Sequence, residues 1–86
     1  MSYEIRFTRQ ALKHLQRCKA AHLGEKVKGL LDIIRENPFQ NPPPVEKLKG
    51  LEEVYSRRLN IQHRLVYQVD KENRHIKILS IWTHYE

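Results

Sequence analysis

All four prolines of this 86-residue chain fall within residues 38–44, in the segment PFQNPPPVEKLKG that runs from residue 38 to residue 50. Proline fixes its own φ angle and has no backbone N–H, so such a segment cannot form a regular helix or an interior strand. The segment therefore divides the chain into two halves. It predicts an irregular surface crossing that closes at Gly50 and contains Glu46.

The half before the prolines predicts one strand and two helices. Apolar and polar residues alternate in YEIRF (residues 3–7), as in a half-buried strand. Thr8 is a candidate N-cap for a helix over residues 9–20. The apolar stripe of that helix consists of Ala11, Leu12, Leu15 and Cys18. A second helix is predicted from about residue 23 to Asn37, which precedes a proline, and the two helices are expected to form a hairpin. Its stripe consists of Val27, Leu30, Leu31 and Ile34.

The half after the prolines predicts three strands. EVYSRRLNI (residues 53–61) and HRLVYQV (residues 63–69) form a predicted hairpin with a short polar join. DKEN (residues 70–73) predicts a tight turn before the last strand, RHIKILSIW (residues 74–82). The order strand, helix, helix, strand, strand, strand predicts an α+β domain. We expect the helices to cover one face of a mainly antiparallel sheet and the other face to be open.

Length, charge and cysteine content set further bounds. Residues 1–86 are enough for a single domain and too few for two. The net charge of +6 favours a polyanionic partner such as RNA or DNA, although a merely soluble basic surface explains it equally well. The single cysteine, and the lack of a signal peptide or an apolar span, predict a cytosolic protein without disulfides. The histidines lack ligand spacing, so we predict no metal and no cofactor.

Alternation along the hairpin strands sorts the arginines. The predicted core face of the strand HRLVYQV consists of Leu65, Tyr67 and Val69, which turns Arg64 to the opposite face. In the preceding strand Arg58 also points away from the core, whereas Arg57 interrupts an apolar face. That face consists of Tyr55, Leu59 and Ile61. Arg58 and Arg64 therefore share the open face, where two guanidiniums suit a phosphate; solvated arginines are an equally compatible alternative.

The last strand is ambiguous, and the chain ends in THYE. Apolar residues occur at both even and odd positions, so alternation does not identify the buried face. The even positions are Ile76, Ile78 and Trp82, and the odd ones are Leu79 and Ile81. His84 is able to transfer a proton near neutral pH, and Tyr85 is able to hydrogen-bond or stack on a base. A lone histidine near a terminus is more often frayed and without a role.

Five residues together match the needs of metal-free RNA cleavage: Glu46, Arg58, Arg64, His84 and Tyr85. A base must take the proton of a 2′-hydroxyl, positive charge must meet the phosphate, and an acid must protonate the departing 5′-oxygen. Glutamate, arginine and histidine are suited to these three tasks. The same residue types occur in many small proteins, so composition leaves open whether they converge.

Four stretches connect the chain to a known family: NPF, VEKLKG, YSRRLNIQHRLVYQV and THYE. With them the sequence resembles the YoeB/Txe branch of the RelE-like toxins, within the RelE/ParE superfamily of type II toxin–antitoxin systems. The resemblance is densest from residue 38 onward and most specific in residues 56–58 and 63–67, whereas the N-terminal third matches only in pattern. It implies the RelE-like fold for the α+β domain described above.

The resemblance also implies an activity, namely endonucleolytic cleavage of messenger RNA in the ribosomal A site, which inhibits translation. Glu46 matches the general base, His84 the general acid and Arg64 the phosphate-stabilising arginine. Tyr85 matches a terminal tyrosine that positions the substrate. Supporting basic positions are matched by Arg58 and, less strongly, by Arg57.

Three further residues are candidate RNA contacts: His63, beside the active-site arginine, and Lys47 and Lys49, for which a solvated role is the simpler alternative. The implied partners are a cognate antitoxin and the 70S ribosome with its messenger RNA. A homodimer is compatible with the resemblance, and no membrane partner is implied.

Two other functions stay open. One is a non-enzymatic inhibitor similar to the ParE branch, which acts on DNA gyrase and needs no Glu and His pair. The other is an RNA- or antitoxin-binding module without cleavage.

Overall fold

Strands and helices follow the predicted order in the described part of the chain, with one additional strand. The computed structural model describes residues 2–60 and 62–81. The elements are β1 (Glu4–Phe7), α1 (Arg9–Ala20), α2 (Gly24–Glu36), β2 (Glu46–Lys47), β3 (Val54–Arg58), β4 (Arg64–Asp70) and β5 (His75–Ser80). The predicted α+β class is confirmed. Neither helix of the described ranges has the length and apolar character needed to cross a bilayer.

Strand β2 is the element that the sequence did not predict. We expected all of residues 38–50 to be irregular, yet Glu46 and Lys47 pair with β3 in antiparallel fashion. Both residues follow the last proline and have a backbone N–H, and β3 offers them an edge to pair with. The prolines therefore exclude regular structure from residues 38–44, whereas Glu46 and Lys47 are able to pair.

The five strands form one sheet in the order β1-β5-β4-β3-β2. Strand β1 runs parallel to β5, and the other three pairs of neighbours are antiparallel. Strand β4 is thus central and β2 lies at an edge. This order places Glu46, Arg58 and Arg64 on three adjacent strands.

Helix α1 begins at the predicted cap and packs with α2 against one face of the sheet. The Thr8 hydroxyl accepts a hydrogen bond from the Ala11 N–H over 3.0 Å, which satisfies a donor of the first turn. The fully buried helical side chains are Ala11, Cys18, Val27 and Ile34. Leu12, which we placed in the apolar stripe, is 49% exposed. It lies about 100° around the helix from the buried Ala11, so that assignment was wrong.

The core faces of β3 and β4 follow the predicted parity. The buried residues of β4 are Leu65, Tyr67 and Val69. Leu59 is buried after β3 and Tyr55 packs half-buried against the same cluster, whereas Ile61 lies outside the described residues. The opposite face is less open than we expected, because Val54 and Ser56 are buried there as well.

A β-bulge explains the ambiguous pattern of the last strand. Ile78 pairs with Tyr67 of β4, but the next pairing joins Ser80 to Val66, so Leu79 is an extra residue. The bulge shifts the alternation by one position. Buried apolar residues therefore occur at both parities, at Ile76 and Ile78 before the bulge and at Ile81 after it.

Candidate active site

Glu46 and Arg64 form an ion pair at the centre of the candidate site. Glu46 stands opposite Ser56 of β3, and Arg64 stands opposite Arg58 of the same strand. Directly opposed residues of antiparallel strands point to one face, so all four side chains lie on the face away from the helices. Arg64 Nη1 is 3.6 Å from Glu46 Oε1.

This ion pair is loose and accessible. Its 3.6 Å separation exceeds the length of an N–H···O hydrogen bond, and the two side chains are 69% exposed for Glu46 and 34% for Arg64. Pairs of this kind contribute little to stability. The Glu46 carboxylate is therefore reachable from solvent, and the Arg64 guanidinium keeps donors for an anionic ligand.

Arg58 of β3 adds a second positive charge directly opposite Arg64 of β4. It is exposed, and the prediction that the two arginines share a face is confirmed. Like charges directly opposed in a sheet repel, and Glu46 offsets only one of them. An oxyanion held between the two guanidiniums would offset the remainder, so the arrangement suits a phosphate.

Ser56 occupies the row between Glu46 and Val66, and sequence analysis gave it no role of its own. Its hydroxyl oxygen is buried and has no hydrogen-bond partner among the described residues. The short side chain leaves space above β3 in which the longer Glu46 and Arg64 meet. No signal in the sequence indicated this position, because the pairing of Glu46 with Ser56 depends on β2, which was not predicted.

Arg57 does not lie on this face, which corrects our expectation that it contacts RNA. Its side chain is 1% exposed. The guanidinium donates to the Tyr67 hydroxyl and to three backbone carbonyls of the proline-rich segment. Because it shares parity with the core residues of β3, it points under that segment and away from the exposed arginines.

His63 also differs from its expected role as an RNA contact. It is 8% exposed, and its backbone N–H donates to Asn60 Oδ1 over 2.7 Å, while its Nδ1 lies 3.1 Å from the same oxygen. These contacts hold the turn between β3 and β4, directly before Arg64 in the chain. Lys47 and Lys49 are exposed, and Lys47 stands opposite Tyr55, so alternation turns its side chain to the other face of β2 from Glu46.

The predicted acid His84 and the predicted tyrosine Tyr85 lie outside the described residues, as do Trp82 and Glu86. Ile81 follows the pairing of Ser80 with Val66 and thus lies at the Arg64 end of β4.

Two side chains of α1 hold the peptide groups of Ile81. Its N–H donates to His14 Nδ1 over 3.2 Å, and its carbonyl accepts from Cys18 Sγ over 3.6 Å. Burial, assisted by Arg17, lowers the pKa of His14, which favours the neutral imidazole that this bond requires.

No group of three or more His, Cys, Asp or Glu side chains able to hold a metal ion occurs within residues 2–60 and 62–81. The positive charges on the face of Glu46 include Arg58 and Arg64. Such a site is suited to proton transfer beside a phosphate.

Comparison with solved structures gives close matches over nearly the whole chain. A YoeB dimer from Staphylococcus aureus is 37% identical, with a TM-score of 0.83, covering 99% of this chain and 100% of that one. A YoeB/ParE toxin from Agrobacterium tumefaciens is 25% identical, with a TM-score of 0.85 and coverages of 95% and 99%. The RelBE toxin–antitoxin complex of E. coli matches with 27% identity, a TM-score of 0.82 and coverages of 99% and 100%. The predicted RelE-like fold is thereby confirmed.

Comparison of the sequence with curated proteins finds no match. A family model, however, described as the YoeB-like toxin of bacterial type II toxin-antitoxin system, matches residues 7–85. This range contains both helices, the proline-rich segment and the whole candidate site, including its predicted C-terminal residues. The chain therefore belongs to the YoeB-like toxins of bacterial type II toxin–antitoxin systems.

Proposed function

We propose that this toxin, acting as one domain over residues 1–86, is a ribosome-dependent endoribonuclease that cleaves messenger RNA in the A site and inhibits translation in the cytoplasm. The observation that carries the proposal is the Glu46–Arg64 pair, with its 3.6 Å separation and its exposed carboxylate. For this chemistry the base must reach a 2′-hydroxyl while the cation reaches the phosphate next to it, so the two side chains must lie close together. These two residues do.

The reaction follows from the roles of four groups. Glu46 takes the proton of the 2′-hydroxyl, and the 2′-oxygen attacks the adjacent phosphorus. Arg64 and Arg58 stabilise the negative charge that accumulates on the phosphoryl oxygens. The bond from phosphorus to the 5′-oxygen breaks, and His84 donates a proton to that oxygen. The products are a 2′,3′-cyclic phosphate, open to hydrolysis to a 3′-phosphate, and a free 5′-hydroxyl.

The weakness of the Glu46–Arg64 contact is useful in this scheme. A strong bidentate ion pair would keep the Arg64 guanidinium bound to Glu46 and unavailable to a phosphate. An exposed pair at 3.6 Å exchanges partners at little cost. Binding of the RNA would then place the phosphate on Arg64 and the 2′-hydroxyl on the released carboxylate. Tyr85 would position the nucleotide, and Lys47 and Lys49 would contact the RNA backbone.

The proposed protein partner is a cognate antitoxin. Two solved relatives from Staphylococcus aureus are YoeB–YefM complexes, and one of these is described as a heterotetrameric toxin–antitoxin complex. A third structure from the same organism is a YoeB dimer. The basic face with Arg58 and Arg64 suits an acidic segment of such an antitoxin, which would exclude RNA from the site. Self-association to a dimer is part of the same proposal.

Primer-extension mapping of one defined messenger RNA tests the function, with and without programmed ribosomes. We expect cuts in the A-site codon that require ribosomes, and their loss in Glu46→Ala and His84→Gln. His75→Gln is the matched histidine control, because His75 pairs with Glu4 at the opposite end of β5. Cleavage that survives both site variants would refute the mechanism. The lack of cuts in every condition would favour the gyrase-inhibitor or binding-module alternatives.

A further inference from the structure

Arg57 is a buried charge that the proposed chemistry does not use. Its guanidinium makes four hydrogen bonds, all to neutral oxygens. Nε donates to Tyr67 Oη over 3.0 Å, Nη1 to the Pro43 carbonyl over 2.8 Å, and Nη2 to the carbonyls of Pro38 and Gln40 over 3.1 and 2.8 Å. The Tyr67 hydroxyl in turn donates to the Pro38 carbonyl over 2.7 Å. A charge buried to this degree persists only when its donors are satisfied, and three of the four bonds go to the proline-rich segment.

The segment that receives these bonds has few donors of its own, although Gln40 Nε2 donates to the Pro42 carbonyl over 3.3 Å. Three consecutive prolines, at positions 42–44, remove the backbone N–H groups that would otherwise pair with its carbonyls. The donor for the carbonyls of Pro38, Gln40 and Pro43 is Arg57, which must reach across residues 38–43. The planar guanidinium, with donors fixed on three nitrogens, spans them in a way that a single ammonium group does not.

The same segment delivers Glu46. Only Pro44 and Val45 separate Pro43, the last carbonyl held by Arg57, from the carboxylate-bearing residue. On its other side Glu46 is held by β2, a strand of two residues at the sheet edge, and by the Leu48 N–H, which donates to the Val54 carbonyl over 2.9 Å. The position of the base thus depends on the short β2–β3 pairing and on the anchor provided by Arg57.

We propose that Arg57 is a positioning residue for the base: from beneath β3 it clamps residues 38–43 and thereby fixes Glu46 against Arg64. The proposal rests on the proposed function and deepens it. Adjacent arginines of one strand then have separate tasks, because alternation turns Arg57 to the buried side and Arg58 to the RNA side. A displacement of a catalytic group by about 1 Å is able to lower a rate by as much as ~100-fold.

Arg57→Lys tests the clamp, since it keeps the charge and removes the fork. Single-turnover cleavage on programmed ribosomes should fall by about 10-fold or more, while the Kd for those ribosomes and its salt dependence stay within about twofold. The comparison variant is Arg58→Gln, which removes the exposed charge and should weaken ribosome binding and lower its salt dependence. If Arg57→Lys instead reproduced the Arg58→Gln pattern, Arg57 would be an RNA contact and the proposal would be overturned.

A double-mutant comparison separates positioning from general loss of structure. In a Glu46→Ala background, Arg57→Lys should lower the residual cleavage rate by less than about twofold, because the group that it positions has been removed. A full and independent loss in that background would refute the proposal. Tyr67→Phe is the second variant. It removes one hydroxyl of the clamp, and a loss of about threefold in rate is expected without a change in Kd.

Amide hydrogen exchange provides a readout that does not need cleavage. In Arg57→Lys, exchange should accelerate in residues 39–48 and stay unchanged in β4 and β5. Unaltered exchange in residues 39–48 would overturn the clamp whether or not the protein cleaves RNA. A wild-type chain that cleaves no RNA under any condition would instead refute the proposed function, so the two failures are distinguishable.

Discussion

Arg64 Nη1 lies 3.6 Å from Glu46 Oε1, and the two residues reach each other across the intervening strand β3. Neighbouring strands are about 4.8 Å apart, so residues two strands apart meet only through long side chains over a small central one. Ser56 provides that small residue in the row of Glu46. The sheet therefore brings together the Glu46 carboxylate and the Arg64 guanidinium, which have 17 residues between them in the sequence.

Glu46→Gln should separate activity from stability. The substitution removes the base and preserves the size of the side chain, so we expect the rate of ribosome-dependent cleavage to fall by about 100-fold or more. The thermal midpoint should stay near that of the parent, because an exposed ion pair contributes little to folding. Glu36→Gln, on the exposed end of α2, is the matched control and should leave both quantities unchanged. A large loss of stability in Glu46→Gln would show that the pair is structural.

Arg64→Lys should lower the rate more than it lowers binding. Lysine keeps the positive charge but loses the planar fork that contacts two phosphoryl oxygens at once. We expect single-turnover cleavage to fall by about 10-fold or more, with a Kd for programmed ribosomes that changes by only a few fold. Rapid-quench experiments measure the cleavage rate, and a binding titration of the same preparations measures the Kd. Equal losses in both would assign Arg64 to ground-state binding.

Much of the fold was predictable because local patterns and tertiary contacts agree. Thr8 and the proline after Asn37 fix helix ends, and alternation in β4 identifies the core face. Alternation also predicted that Arg58 and Arg64 share a face. The pattern failed at Leu79, where a bulge shifts the register, because a bulge is set by the partner strand.

The candidate site was less predictable than the fold, and Arg57 shows why. A charged residue at a core parity position is a signal of buried partners, but those partners are carbonyls of a proline-rich segment. Every residue contributes a carbonyl, so the sequence does not indicate which of them converge. The pairing of β2 with β3 was missed for the same reason, since it depends on a neighbouring strand rather than on local residues.

His14 should make stability depend on pH. Burial, with a smaller effect of Arg17, lowers the pKa of His14 in the folded state below its ordinary value of about 6.5. The unfolded chain then binds the proton more readily, so this contribution is complete above that value and is lost as the pH falls through the folded-state pKa. Protonation also removes the acceptor that Nδ1 offers to the Ile81 N–H.

Urea unfolding between about pH 5 and pH 8 measures the effect of His14. We expect the free energy of unfolding of the parent to decrease toward the acid side, and the decrease to be smaller in His14→Gln, which does not titrate. His22→Gln, at an exposed position between the helices, should retain the slope of the parent. An identical slope in the parent and His14→Gln would mean that the Ile81 contact does not respond to protonation.

Ser56→Ala should not destabilise the protein, although the residue is 3% exposed at the centre of the site. Its buried hydroxyl has no hydrogen-bond partner among the described residues, so folding removes it from water without compensation. Removing the hydroxyl should raise the free energy of unfolding by up to about 1 kcal/mol, less whatever packing the oxygen supplied. Urea unfolding of the parent and the variant at pH 7 measures this difference. Ser80→Ala is the comparison, because the Ser80 hydroxyl lies 3.5 Å from His14 Nδ1 and its removal should not stabilise. A loss of more than about 1 kcal/mol in Ser56→Ala would mean that the hydroxyl has a stabilising partner in the folded protein.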